Sequence, residues 1–152
     1  MSAESNQGRR DRDLEQLLEE LRVAIPGVEV LFAFLLGVAF TQRFETLTSI
    51  QRSVYFGTLL STAAATALLI APSAYHRLNF RQNNEEQMLF TATRLAVAGL
   101  VLIMLSVSGV VFIVADLMFG AVAASTAAAS MAGWFAWFWF ALPSWRRRRQ
   151  VA

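Results

Sequence analysis

The chain has 152 residues, 56% of them hydrophobic and 16% charged, with no cysteine, a single histidine and a formal net charge of +2. That composition excludes a disulfide framework, a thiolate metal site and a catalytic thiol. One imidazole per chain also leaves a metal centre of the usual His or Cys kind without enough ligands, and no cofactor is expected.

The charges are most informative where they are missing. Residues 53–75, 95–115 and 117–145 contain no ionisable side chain other than Tyr55 and Tyr75. Each run matches the roughly 20 apolar residues that a helix needs to cross the hydrocarbon of a bilayer. Three such runs cannot all be core helices of a soluble domain this small, so the chain reads as an integral membrane protein. A fourth, earlier span makes it an all-α, four-helix membrane bundle with an N-terminal cytoplasmic amphipathic helix.

Residues 1–22 form the head. Residues 1–10 are polar and expected to be disordered. From Asp11 onward Leu14, Leu17, Leu18, Leu21 and Ile25 recur at helical spacing, with Asp13, Glu15, Glu19 and Glu20 on the rest of the turn. An acidic face suits an anionic leaflet badly. The leucine stripe is therefore expected to pack on protein, either the ends of the bundle or the same helix of a neighbouring subunit. The acidic residues also replace the basic start that a secretory signal needs, so the first span is expected to stay in the mature protein.

The membrane domain covers 23–145, with spans at about 23–40, 53–72, 94–116 and 120–142. In the first, Pro26-Gly27 is expected to separate head from span by a kink or a restart. Glu29 follows within about a turn of the membrane boundary. The outer loop 41–52 contains Thr48 and Gln51 in a capping-box pattern where the second span begins. Phe44, Leu47 and Ile50 of that loop are expected to dip into the interface. The second span is rich in small residues from Ser61 to Ala67, the third has Gly99 and Gly109, and the fourth has Ser125, Ala129 and Gly133 at four-residue spacing. Small residues let helices approach closely in lipid, so these stretches are the expected helix contacts, within one chain or between chains. Asn84, in the loop between the second and third spans, is a candidate N-cap.

The fourth span ends in Trp134, Trp137, Trp139 and Trp145, followed by the basic tail 146–152 with Arg146, Arg147, Arg148 and Arg149. Indoles at headgroup level with arginines beyond them form a membrane anchor on anionic lipid. Four arginines alone do not make a nucleic-acid surface, and no nucleic-acid partner is expected. Every basic residue is arginine. Eleven of the thirteen lie before the first span, around the loop between spans two and three, or after the fourth span; only Arg43 and Arg52 lie in the first outer loop. The positive-inside rule then puts both termini in the cytoplasm of a multi-pass protein.

Few residues can carry chemistry. A carboxylate at membrane depth is costly and is a functional hint by default. Glu29 is a possible proton or cation site, or a structural residue paired with Arg22 or Arg94. Asp116 is a possible ion site at the outer mouth, a turn residue before Gly120, or a partner of Arg43 or Arg52. His76, beside Tyr75, is an interfacial residue with a possible pH-sensing role. No nucleophile and base fall in a recognisable pairing and no catalytic residues are assigned, so an enzyme is not expected.

The stretch from Leu17 through Pro26-Gly-Val-Glu29 to Leu36, with Phe40-Thr-Gln-Arg-Phe44 and Leu69-Ile-Ala-Pro-Ser-Ala-Tyr-His-Arg77, resembles a family of small bacterial four-span membrane proteins of unknown function. Some of its members carry the label sodium:proton antiporter. The resemblance implies four spans and location in the bacterial cytoplasmic, or inner, membrane, but no activity; where it implies a glutamine, this chain has Glu29. A weaker architectural similarity is to small multidrug exporters, which also have four spans and a glutamate in the first. The function expected is structural or regulatory, in a protein that self-associates as a homo-oligomer within the lipid bilayer. The alternative is a proton- or cation-coupled transporter or channel using Glu29 and Asp116.

Overall fold

The computed structural model describes residues 2–78 and 85–141, and every element within them is helical. Helix α1 spans Ser2–Val38, α2 is a single turn at Gln42–Glu45, α3 spans Ser49–Leu78, α4 spans Glu85–Phe119 and α5 spans Ala121–Ala136, which runs on into a π-helical turn at Trp137–Ala141. Four stretches are long and apolar enough to cross a membrane: Glu19–Val38, Ser49–Ala74, Phe90–Phe119 and Ala121–Trp139. This is an all-α, four-helix membrane architecture.

Helix α1 departs from expectation in two respects. It begins at Ser2, so the polar residues 2–10 form its first turns where disorder was expected, and it passes through Pro26 without a break. Proline forfeits one backbone hydrogen bond in a helix interior. Packing on both sides offsets that loss, because Leu21, Ile25 and Val28 all join the core. The side chains of Leu14, Leu17 and Leu18 lie outside the described residues, as does Asn84.

The bundle is organised around α3 and α4. The buried positions of α3 are Gln51, Tyr55, Thr58, Thr62, Ala65, Leu69 and Pro72. On α4 the inward positions are Ala92, Ala96, Gly99, Ile103, Ser106, Val110 and Ile113. Both series step alternately by four and three, the 3.5-residue period that keeps one seam of a helix facing its partner. The helices run antiparallel in register: Gln51 lies opposite Asp116, Thr58 opposite Gly109 and Leu69 opposite Gly99. Helix α1 lies along this pair with Leu21, Val28 and Leu35 at seven-residue intervals, the first two in one apolar cluster with Ala65, Leu69 and Ala96, the third in another with Tyr55 and Ile113.

The seam is small and polar while the outside is large and apolar. Phe56, Leu60, Ile70, Val97, Leu105 and Val114 are all exposed on the helix exteriors. A protein in lipid gains nothing by hiding these, and it gains van der Waals contact by bringing backbones together. Gly109 makes this explicit, since a Cβ there would collide with Thr58 Oγ1, and one on Gly99 would sit 2.8 Å from Leu69 Cδ2. The small residues of α3 and α4 are thus helix contacts, as expected. Those of α5 are not contacts within the chain: Ser125, Ala129 and Gly133 are exposed, and α5 packs along α4 through Ala124 without substantial contact to α1 or α3.

The two tight glycines differ in what a methyl would strike. At Gly99 the obstacle is the tip of a leucine, which can turn aside. At Gly109 it is a β-branched threonine whose hydroxyl is bonded to the Val54 carbonyl, at 2.7 Å. Gly109→Ala is therefore expected to destabilise the bundle by about 1–3 kcal/mol, the usual cost of overpacking. Gly133→Ala, which meets open space, should be neutral. Thr58→Ala combined with Gly109→Ala should recover most of the loss in detergent unfolding monitored by circular dichroism.

Candidate functional site

The side-chain hydrogen bonds that join one helix to another cluster at one end of the α3–α4 seam, where α3 begins and α4 ends. Thr48 and Gln51 form the expected capping box: the Thr48 amide donates to Gln51 Oε1 at 2.9 Å and the Gln51 amide donates to Thr48 Oγ1 at 3.3 Å. This satisfies orphan donors at the start of α3 and fixes the orientation of the glutamine side chain. Its remaining donor, Nε2, then reaches Asp116 Oδ2 on α4 at 2.8 Å. One side chain thus caps its own helix and binds the end of another.

A second contact closes the same end against α1. The buried Tyr55 hydroxyl donates to the Leu35 carbonyl, one of the last four of α1, where intrahelical donors run out. Phe44 lies edge-on to the Tyr55 ring with centroids 5.1 Å apart. Leu47 of the same loop is buried, whereas Ile50 stays exposed, so two of the three apolar loop residues fold back onto the protein.

The charged residues fall into place around this latch. Asp116 does not pair with Arg43 or Arg52. The capped glutamine already holds its carboxylate, Arg52 Nη2 donates to the Glu45 carbonyl at 2.8 Å, and Arg43 is exposed. The turn expected at Gly120 is present, with φ at 87° and its amide bonded to the Asp116 carbonyl at 3.1 Å. That φ lies in the region that glycine alone enters without strain. Asp116 therefore serves the turn through its backbone and the seam through its side chain.

Glu29 has none of these supports. It lies inside a continuous helix, eleventh of the twenty residues of the Glu19–Val38 stretch, so no helix N-terminus offsets its charge. It is exposed, and no salt bridge joins it to Arg22 or Arg94, which are themselves exposed. The reason is rotational: Val28 faces the core, and the next residue along a helix turns about 100° away from it. Glu29 and Asp116 are also not brought together, the one beside the Leu21–Val28–Leu69 cluster and the other at the opposite end of the seam.

Of the aromatic anchor, Trp134 and Trp137 are exposed, and Trp139 is half-buried against Phe135 with centroids 4.7 Å apart. Trp145, Arg146, Arg147, Arg148 and Arg149 lie outside the described residues, as does the side chain of His76.

A row of hydroxyls between the two ends escaped the sequence reading. Thr58 and Thr62 on α3 and Ser106 on α4 are buried in the seam, and each donates one turn back to a carbonyl of its own helix, those of Val54, Thr58 and Leu102. Such back-bonding satisfies a hydroxyl in lipid without water. The signal was present in the spacing of Gln51, Tyr55, Thr58 and Thr62, which matches the later apolar positions Ala65 and Leu69.

The model of a family of unknown function, DUF6328, matches residues 3–143. The chain belongs to that family. No curated protein and no solved structure matches it. For this DUF6328 member, then, the geometry is the whole basis for a functional reading. What that geometry accomplishes at the Gln51–Asp116 end is fastening three helices.

The Gln51–Asp116 bond should be measurable as an energetic coupling. Gln51→Ala and Asp116→Ala are each expected to lower stability, by about 1–3 kcal/mol for a bond to a charged group, and a double-mutant cycle of unfolding should show that the losses do not add. Additive losses would mean that the two side chains act separately.

Proposed function

We propose that this protein is a self-associating, non-enzymatic membrane protein with a structural or regulatory role, placed in the bacterial inner membrane with both termini cytoplasmic. The observation that carries the reading is Glu29, an exposed carboxylate without a partner among the described residues, set among apolar residues of a membrane-spanning helix. A charged side chain at the centre of a membrane helix costs roughly 2.5–3.5 kcal/mol on insertion scales, and such residues face protein or a water-filled cavity. A second copy supplies the missing protein face.

The surroundings of Glu29 fit a helix–helix contact. Ala33 and Gly37 follow it at four-residue steps, both exposed, and a Cβ on Gly37 would meet nothing within 4 Å. These three positions share one side of α1 and present little bulk, which lets a second α1 come close. In a twofold dimer about the membrane normal the two Glu29 side chains meet at equal depth, each facing the other copy. Transport through Glu29 and Asp116 has no comparable support, because Asp116 is bonded to Gln51 at the far end of the seam.

The cysteine-free sequence makes the test direct, since any introduced thiol is unique. Ala33→Cys is expected to form an intermolecular disulfide in membranes on mild oxidation, and Phe56→Cys on the outer face of α3 is not. A protein that stays monomeric at all concentrations in detergent, with no bridge at position 33, would overturn self-association. Sodium, potassium and proton flux across reconstituted vesicles is expected to be unchanged by Glu29→Gln and Asp116→Asn; a loss with either would favour transport. For topology, alkaline phosphatase fused after Ala152 should be inactive in cells, and activity there would reverse the orientation.

A further inference from the structure

A shallow cleft of about 370 Å³ opens on the outside of α4, lined by Phe90, Thr93, Arg94, Val97 and Ala98. It sits at one end of a span that is longer than it needs to be. The stretch Phe90–Phe119 has 30 residues. At 1.5 Å per residue it is about 45 Å long, against roughly 30 Å of hydrocarbon, so about five residues project at each end. Arg94 therefore lies at the boundary between headgroups and acyl chains, at the end opposite Asp116.

The cleft combines two kinds of surface. Val97 and Ala98 continue into the hydrocarbon side as exposed apolar walls, and Phe90 closes the polar side. The Arg94 guanidinium carbon lies 4.8 Å from the Phe90 ring centroid. The ring takes the cation without using its N–H groups, which bond no described residue and can form paired bonds to phosphate oxygens. Arg94 has no salt bridge to any described residue and is the one cation lining the cleft. No described carboxylate compensates its charge, which lies directly beside an apolar trough.

We infer that this cleft is a binding site for an anionic phospholipid, whose phosphodiester is held by Arg94 and whose acyl chain lies along Val97 and Ala98. The apolar half of the cleft selects a lipid over a free phosphate ion, and the guanidinium selects an anionic over a zwitterionic headgroup. The inference rests on membrane insertion but not on self-association.

Native mass spectrometry of the full chain in detergent tests it, because subunit number and bound lipid are read from separate mass differences. With phosphatidylglycerol or phosphatidylcholine added at equal concentration, the phosphatidylglycerol adduct should dominate. Arg94→Gln should reduce that adduct about tenfold, the loss expected for a charge-assisted bond, while Arg52→Gln at the other end leaves it unchanged. Val97→Trp, which fills the cleft and leaves every charge in place, should reduce it as well and serves if Arg94→Gln does not fold. Excess inorganic phosphate should not displace the lipid. The site is overturned if Arg94→Gln and Val97→Trp both bind as the wild type does. It is equally overturned if phosphate displaces the adduct, or if changing Arg146, Arg147, Arg148 and Arg149 to glutamine alone abolishes the preference.

Discussion

Two helices already inside a bilayer have no hydrophobic reason to touch, since lipid tails solvate leucine as well as another leucine does. The close approach of α3 and α4 supplies what the solvent cannot. Gly109 against Thr58 and Gly99 against Leu69 let the backbones come near enough for dense contact, and the hydroxyls of Thr58, Thr62 and Ser106 fill the seam after bonding their own helices. The remaining helices dock on this pair, α1 through Leu21, Val28 and Leu35 and α5 through Ala124. A seam built this way tolerates polar atoms because each donor has an acceptor one turn away.

The seam alone would allow the helices to slide in register. The latch at the Gln51–Asp116 end prevents it with a few directional bonds. Gln51 can bond Asp116 only because the capping box has already taken its other end, so the order at the start of α3 is transmitted to the end of α4. Tyr55 ties one of the last carbonyls of α1, that of Leu35, to the same place. Helix ends in a membrane protein expose polar backbone where water thins out, and here side chains of neighbouring helices serve those groups. The latch thus does structural work with residues that a sequence reading would offer first as ion ligands.

Glu29 stands apart from this economy of partners. The hydroxyls of Thr58, Thr62, Thr66 and Ser106 bond carbonyls of their own helices, and among the described residues Ser108 is the buried side chain left without a hydrogen-bond partner. An unpaired carboxylate facing outward from α1, beside Ala33 and Gly37, is intelligible as part of a surface completed by another helix. The exposed small residues of α5 are consistent with a molecule that has more than one face available for contact.

Much of the fold could be read from residue order alone. The three charge-free runs marked three of the four spans, because bilayer thickness sets a length that few soluble helices share, the apolar stretch around Glu29 marked the first, and the Thr48–Gln51 box was recognisable because capping is a local matter of three residues. The partners were not legible. Asp116 had two arginines near its side of the membrane by topology, yet it bonds a glutamine, since which side chain arrives depends on helix rotation and on the register of α3 against α4. The same rotation turned Val28 inward and Glu29 outward, and left Ser125, Ala129 and Gly133 uncovered although they are as small as the residues at true contacts. Composition and period decide that a segment is a membrane helix; only packing decides which of its faces meets protein, because in lipid the apolar residues that announce a buried face in water are equally at home outside.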